Sequence, residues 1–172
     1  ITYAGTRAQE FELRSEGKSY LDIAKAGYGI ISTVKSTRSA SVQELKDISI
    51  NNINRMKKFG VGFIEAKSGY GLDVETELKQ LEALKEVKKD FPFIASTFMG
   101  AHDIPPGNED KEKRKKDYIE LLTNELLKKV AENKLAKFCD VFVEEGYYTK
   151  EETKHIIKEA QKHGLKAKLH AD

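Results

Sequence analysis

Cysteine occurs once, at Cys139, in 172 residues. One thiol excludes a framework of intramolecular disulfides and fits a reducing compartment, so a cytoplasmic protein is expected. No apolar run approaches the ~20 residues that span a bilayer, and no signal-peptide pattern opens the sequence. A dominant sign of charge is also missing. The 30 basic and 28 acidic residues are interspersed and leave a net charge of +2. Without a strong field, neither nucleic acid nor a membrane is an expected partner. There is no repeat of solenoid period and no low-complexity linker. The sequence starts at Ile1 and stops at Asp172, inside or just past a strand, so a piece of a longer protein is expected.

What is present suffices for one domain with a real core. Residues 1–18 show no sustained period and read as an exposed connection, with Arg7 following the small-residue turn Ala4-Gly5-Thr6. Ser19 is placed to cap a short helix from Tyr20 to Ala26, stopped by Gly27. Residues 27–41 are rich in Gly, Ser and Thr and read as a loop. The single domain thus divides into a flanking segment over 1–41 and βα units over 42–172.

In that second part, Ser41 and Glu44 form a capping box, and a helix follows to about Lys58 with Leu45, Ile48, Ile53 and Met56 near one face. Val61 to Lys67 reads as a strand, and Ser68 to Gly71 as a tight loop. Asp73 caps a helix with an apolar stripe of Leu78, Leu81, Leu84 and Val87, ended before Pro92. Phe93 to Met99 is a second strand. A long charged helix over Lys111 to Asn133 turns Ile119, Leu122, Leu126 and Val130 inward. Phe138 to Val143 is a third strand. Thr149 and Glu152 open another helix, closed by Gly164, and Leu165 to His170 is a fourth strand. VGFIEAK and FCDVFV are near-continuous apolar runs, which favours parallel strands buried on both faces. The expected class is α/β, either half of an eight-fold barrel or a small doubly wound sheet. Half a barrel has raw edges, which again suggests an incomplete domain that does not fold alone.

In either architecture ligands bind at the carboxyl ends of the strands. Those ends carry Glu65, Lys67 and Tyr70; His102 and Asp103; Glu144, Glu145, Tyr147 and Tyr148; and His170 and Asp172. His102, on a short stiff loop, is either functional or a histidine bonded to backbone. His170 is either a metal ligand or a strand-end side chain. Glu144 and Glu145 read as solvated charges. His155 and His163 are eight apart on a helix and read as surface. Cys139 reads as core, not nucleophile. The run Lys111 to Lys116 reads as a solvated helix face, and Gly27-Tyr28-Gly29 does not make a dinucleotide site.

EAKSGYGLDVETELKQL, STFMGAHDIPP and KLHAD together resemble the imidazolonepropionases, a family of the amidohydrolase superfamily. AGTRAQEFELRSEGKSYLDIAKAGYGIISTVKSTRSAS resembles the segment just downstream of that family's first metal motif, so the likeness covers nearly the whole chain. The resemblance implies a (β/α)8 TIM barrel, of which about strands two to five are present. It also implies a hydrolase of histidine breakdown acting on a cyclic amide. Water adds to 4-imidazolone-5-propanoate and gives N-formimidoyl-L-glutamate. The implied cofactor is a single zinc or iron ion, with His170 in KLHAD as a metal ligand. Arg7 in AGTR, Tyr70 in KSGYG and His102 in MGAH are the implied substrate-binding residues. Assembly as a homodimer is left open.

The family's H-x-H pair, its proton-handling glutamate, a later histidine and the metal aspartate are absent from these residues. The glutamate is expected immediately after Asp172, so the segment alone is expected to be inactive. One histidine does not hold a catalytic zinc, which needs about three protein ligands. Two alternatives remain at this point. One is another deaminase or cyclic-amide hydrolase of the same superfamily, which would not need Arg7, Tyr70 and His102 together. The other is a non-catalytic α/β module binding anions through Lys111 to Lys116.

Overall fold

A computed structural model describes residues 1–19, 22–23 and 26–171. The helix expected over 20–26 rests on Tyr20, Leu21, Ala24 and Lys25, which lie outside the described residues, as does Asp172. The described helices are α1 (Ala8–Ser15), α2 (Ile30–Ser39), α3 (Val42–Lys58), α4 (Val74–Asp90), α5 (Lys111–Leu121), α6 (Leu127–Glu132) and α7 (Lys150–Lys162). The strands are β1 (Ile64–Lys67), β2 (Ile94–Ala101), β3 (Phe138–Val143) and β4 (Lys166–Ala171). The four form one parallel sheet in the order β1-β2-β3-β4.

The helix ends behave as the capping residues dictate. Glu44 N donates to Ser41 Oγ at 3.2 Å, and Ser41 N donates back to Glu44 Oε2 at 2.7 Å. Asp73 accepts from Thr76 N at 2.7 Å, and Thr149 and Glu152 form the second reciprocal box. Gly164, at φ 81°, closes α7 as expected.

Several expectations need correction. Residues 1–18 are not a bare connection: α1 forms there, and its Glu10 is buried, accepting from Gly29 N at 3.1 Å and Arg14 at 2.7 Å. Residues 27–41 are not a loop either. α2 forms because Thr33, Val34 and Thr37 share an inward face, and packing overrides the weak helix propensity of Ser and Thr. β1 starts at Ile64, not Val61; Val61 and Phe63 are exposed. β2 runs on to Ala101 and β4 covers 166–171. Met56 lies outside the buried face of α3. The long charged helix is interrupted by a π turn over Leu122–Leu126, where Thr123 Oγ1 donates back to Ile119 O at 2.8 Å. Leu122, Leu126, Leu127 and Val130 are all fully buried in the core.

The strands are also not apolar on both faces. Phe98, Cys139 and Val141 pack with the buried leucines of α4, of the π turn and of α6, and with Ile156 of α7. The opposite face carries Glu65 and Lys67 of β1, Thr97 of β2, Asp140 of β3, and Lys168 and His170 of β4, linked by registered pairs such as Lys67 with Thr97 and Asp140 with Lys168. A single hydrophobic layer therefore holds the sheet to its helices, and charge lines its other side.

Candidate active site

The loops 68–73, 102–110 and 144–149 leave the carboxyl ends of β1, β2 and β3, and β4 ends beside them. His102 is the first residue past β2 and is only 6% exposed. Among the described residues its Nε2 has no hydrogen-bond partner, and Asp140 Oδ2 is 3.6 Å away. The His102 ring stacks on Phe142 at 5.6 Å and lies 5.2 Å from the ring of His170. Phe142 in turn touches His170 and Tyr147, at 5.0 and 4.8 Å. The two histidines that end separate strands in the sequence are thus neighbours in space. His170 itself is exposed.

Beneath them lies a ladder of charge. Lys67 Nζ donates to Asp140 Oδ2 at 2.5 Å, and Lys168 Nζ and Thr97 Oγ1 donate to Glu65 Oε1 at 2.6 and 2.5 Å. Burial alone would push the Asp140 carboxyl up, but the adjoining His102 and Lys67 outweigh it and hold it at about 2. Glu65 follows the same logic: burial opposes ionisation, and the bonds from Lys168 and Thr97 keep it below the usual carboxylate range. Sequence reading missed Asp140, Thr97 and Lys168 as site-facing groups. The available signal was a carboxylate in the middle of FCDVFV, which only a two-residue alternation assigns to the face opposite Cys139 and Val141.

Tyr70 is half-buried and sits in left-handed backbone, at φ 60°. Burial raises its phenol pKa, the Asp103 carboxylate raises it further, and Arg7 acts in the opposite sense. Arg7 and Tyr70 therefore share one electrostatic neighbourhood with the residue that follows His102. Arg7 is at the start of α1, its Nε donating to Thr33 Oγ1 at 3.2 Å with part of its guanidinium open to solvent.

The remaining strand-end candidates fall outside this cluster. Glu145 is exposed and Glu144 caps its own turn, accepting from Glu145 N at 2.8 Å. Tyr148 is fully buried and donates to Asp103 O at 2.8 Å, tying the second loop to the third. His155 is exposed on α7 and His163 is exposed just past its end. Cys139 is wholly buried, and burial, with the Asp140 charge, pushes its thiol up to about 12. Part of the basic run at the start of α5 is engaged within the protein. Lys113 pairs with Glu109 and Asp117, Lys115 with Glu112 and Glu152, and Lys111 and Arg114 bond backbone carbonyls. Lys113 and Lys115 are thus committed to carboxylates of the chain itself. Among the described residues no three His, Cys, Asp or Glu side chains converge as a metal set, and no helix is long and apolar enough to cross a membrane.

No family model matches the chain. Curated relatives do, from end to end. The chain is 47% identical over 173 residues to the imidazolonepropionase of Clostridium tetani, covering all of this chain and 41% of that protein. It is 45% identical to that of Shouchella clausii, covering 38% of it, and 42% identical to that of Alkaliphilus oremlandii, covering 40%. Throughout its length the chain is similar to part of imidazolonepropionase. It spans about two fifths of the length of these curated relatives. The imidazolonepropionase match takes in Arg7, Tyr70, His102 and His170, because it runs over the whole chain.

Proposed function

We propose that the polypeptide carrying these residues is a cytoplasmic, metal-dependent hydrolase that adds water to 4-imidazolone-5-propanoate and opens its ring to N-formimidoyl-L-glutamate. The observation that carries this reading is a coincidence of two kinds. The end-to-end similarity to imidazolonepropionases falls on a chain whose His102 and His170, from the ends of two different strands, meet in space.

On this reading β1 to β4 are the second to fifth strands of a (β/α)8 barrel of the amidohydrolase type. Their order, all parallel and sequential, supports it. So does the bond of Lys168 to Glu65, which joins the two outermost strands. In a flat sheet those strands lie about 14 Å apart, so a direct bond between their side chains favours a sheet curled over its charged face, as a barrel wall is.

His170 fits as one imidazole ligand of a zinc or iron ion: it is open to solvent at a strand end, and the remaining ligands would come from elsewhere in the longer polypeptide. The chemistry such an ion supplies is Lewis acidity, easing the ionisation of water and polarising a carbonyl. The residues of this chain then bind and orient. Arg7 offers a planar fork to the propanoate. Tyr70, kept protonated by burial and by Asp103, donates a hydroxyl bond. His102, whose buried Nε2 is unpaired among the described residues, takes a polar atom of the substrate. Lys67 and Asp140 fix the floor under it.

The test is turnover by the full-length protein. Loss of 4-imidazolone-5-propanoate and appearance of N-formimidoyl-L-glutamate, followed by mass spectrometry, are expected to stop on chelation and return with zinc or iron. A metal-loaded full-length protein that leaves the substrate intact would refute the assignment.

A further inference from the structure

We propose that Glu77 and Gln80, one turn apart on the buried side of α4, are positioning residues that set the spacing between Tyr70 and Arg7 and so determine recognition of the substrate's carboxylate. The proposal rests on the function proposed above.

Both side chains are wholly buried, although neither belongs to the apolar stripe of α4. Both are spent on the backbone of other segments. Glu77 Oε1 accepts from Gly71 N at 3.0 Å and from Leu72 N at 3.3 Å. Gln80 Oε1 accepts from Gly69 N at 3.3 Å, and its Nε2 donates to Gly69 O at 2.8 Å. The backbone on either side of Tyr70 is therefore clamped by two side chains of one helical turn. Arg38 completes the clamp, donating to Gly71 O at 2.9 Å.

The clamp is needed because the loop is held away from its relaxed shape. Tyr70 and Leu72 adopt φ of 60° and 57°, values that side-chain-bearing residues avoid. Gly69 is at φ 130°, where an added Cβ would strike the end of the Met99 side chain. Left to itself this stretch would relax and carry the phenol with it.

Gln80 also reaches the other half of the site. The same Nε2 donates to Thr2 O in a short bond. Thr2 N donates to Lys67 O at 2.8 Å, and Ala4 N to Thr37 Oγ1 at 3.2 Å, so the segment leading to Arg7 is docked between β1 and α2. One amide group thus joins the tyrosine loop to the arginine segment. Neither Glu77 nor Gln80 touches the histidines at the ends of β2 and β4. Their influence is therefore expected on the propanoate end of the substrate and not on the ring.

The experiment uses the full-length, metal-loaded protein and two competitive probes, 3-(imidazol-4-yl)propanoate and 4-ethylimidazole, which differ in the carboxylate. Gln80→Met and Glu77→Met are expected to raise KM and the inhibition constant of the propanoate probe about tenfold or more. Binding of 4-ethylimidazole and metal content should stay near those of the unmodified protein. Glu77→Gln, which keeps the Oε1 acceptor, should recover most of the loss. Should Gln80→Met not fold, Gln80→Glu serves, since it keeps an acceptor for Gly69 N and, held protonated by burial, can donate to only one of the two carbonyls. Equal weakening of both probes, unaltered binding of the propanoate, or no recovery in Glu77→Gln would overturn the proposal. If the unmodified protein binds neither probe and turns over no substrate, the functional reading fails first and the proposal with it.

Discussion

Burial raises the Glu77 carboxyl to about 7 from an ordinary 4.5, against the Ser68 hydroxyl and the amides of Leu72 and Gly71, with Asp73 adding to the rise. The phenols of Tyr118 and Tyr148 lie within reach of its charge, and Arg38 donates to Gly71 O in the same loop. The folded state binds this proton more tightly than the unfolded state does, so stability falls as pH rises from about 4.5 through 7. Glu77→Gln removes that slope. It should be more stable than the unmodified protein at pH 8, by up to roughly 3 kcal/mol, and nearly equal to it at pH 4.5. Thermal melts of the full-length protein at the two values decide it; a gap independent of pH would rule out the titration. Asp140 behaves in the opposite sense, because His102 and Lys67 favour its charge. Lys67→Met should cost roughly 1–3 kcal/mol by leaving a buried carboxylate short of a cation. Adding Asp140→Asn should recover part of that cost, a non-additivity that strict addition of the two single losses would refute. At this scale the sequence was only partly readable. His102 and His170 announce themselves at strand ends. Asp140 does not, since its partner Lys67 is 73 residues away and nothing local marks the pairing.

Elements were legible where local chemistry and packing agree. The boxes Ser41/Glu44 and Thr149/Glu152, the Asp73 cap and the Gly164 stop all appear as read. α2 was not legible, because ISTVKSTRS has the composition of a loop, and its helix exists only through what it packs against. Thr37 shows the cost of that dependence. It is fully buried, and its hydroxyl accepts from Ala4 N at 3.2 Å. Thr37→Val keeps the shape but orphans the amide, and should lower stability by about 1–2 kcal/mol. It should also loosen residues 2–7, seen as faster amide exchange at Ala4; protection equal to that of the unmodified protein would show the bond to be dispensable. The π turn in the long helix was equally hidden. Leu122, Leu126, Leu127 and Val130 fall within about 140° of a regular helix as well, so their spacing gave no sign of the extra residue.

Across the whole molecule, the division of labour is between the two faces of one sheet. Apolar side chains fasten it to the helices, and the opposite face presents ion pairs and histidines. The near-continuous run FCDVFV suggested two greasy faces because a run conceals which side each residue takes. Cys139 stands on the fastened side, fully buried between the second and fourth strands, with its thiol pushed up to about 12. An alkylating reagent meets neither an accessible sulfur nor a thiolate while the sheet is closed. The same atom becomes an ordinary reactive thiol once the strands part. Cys139 is therefore a built-in clock for opening of this layer: its rate of modification, followed on its own peptide, counts excursions of the closed sheet. A substitution on the charged face that weakens the molecule, such as Lys67→Met, should quicken that clock without touching the sulfur.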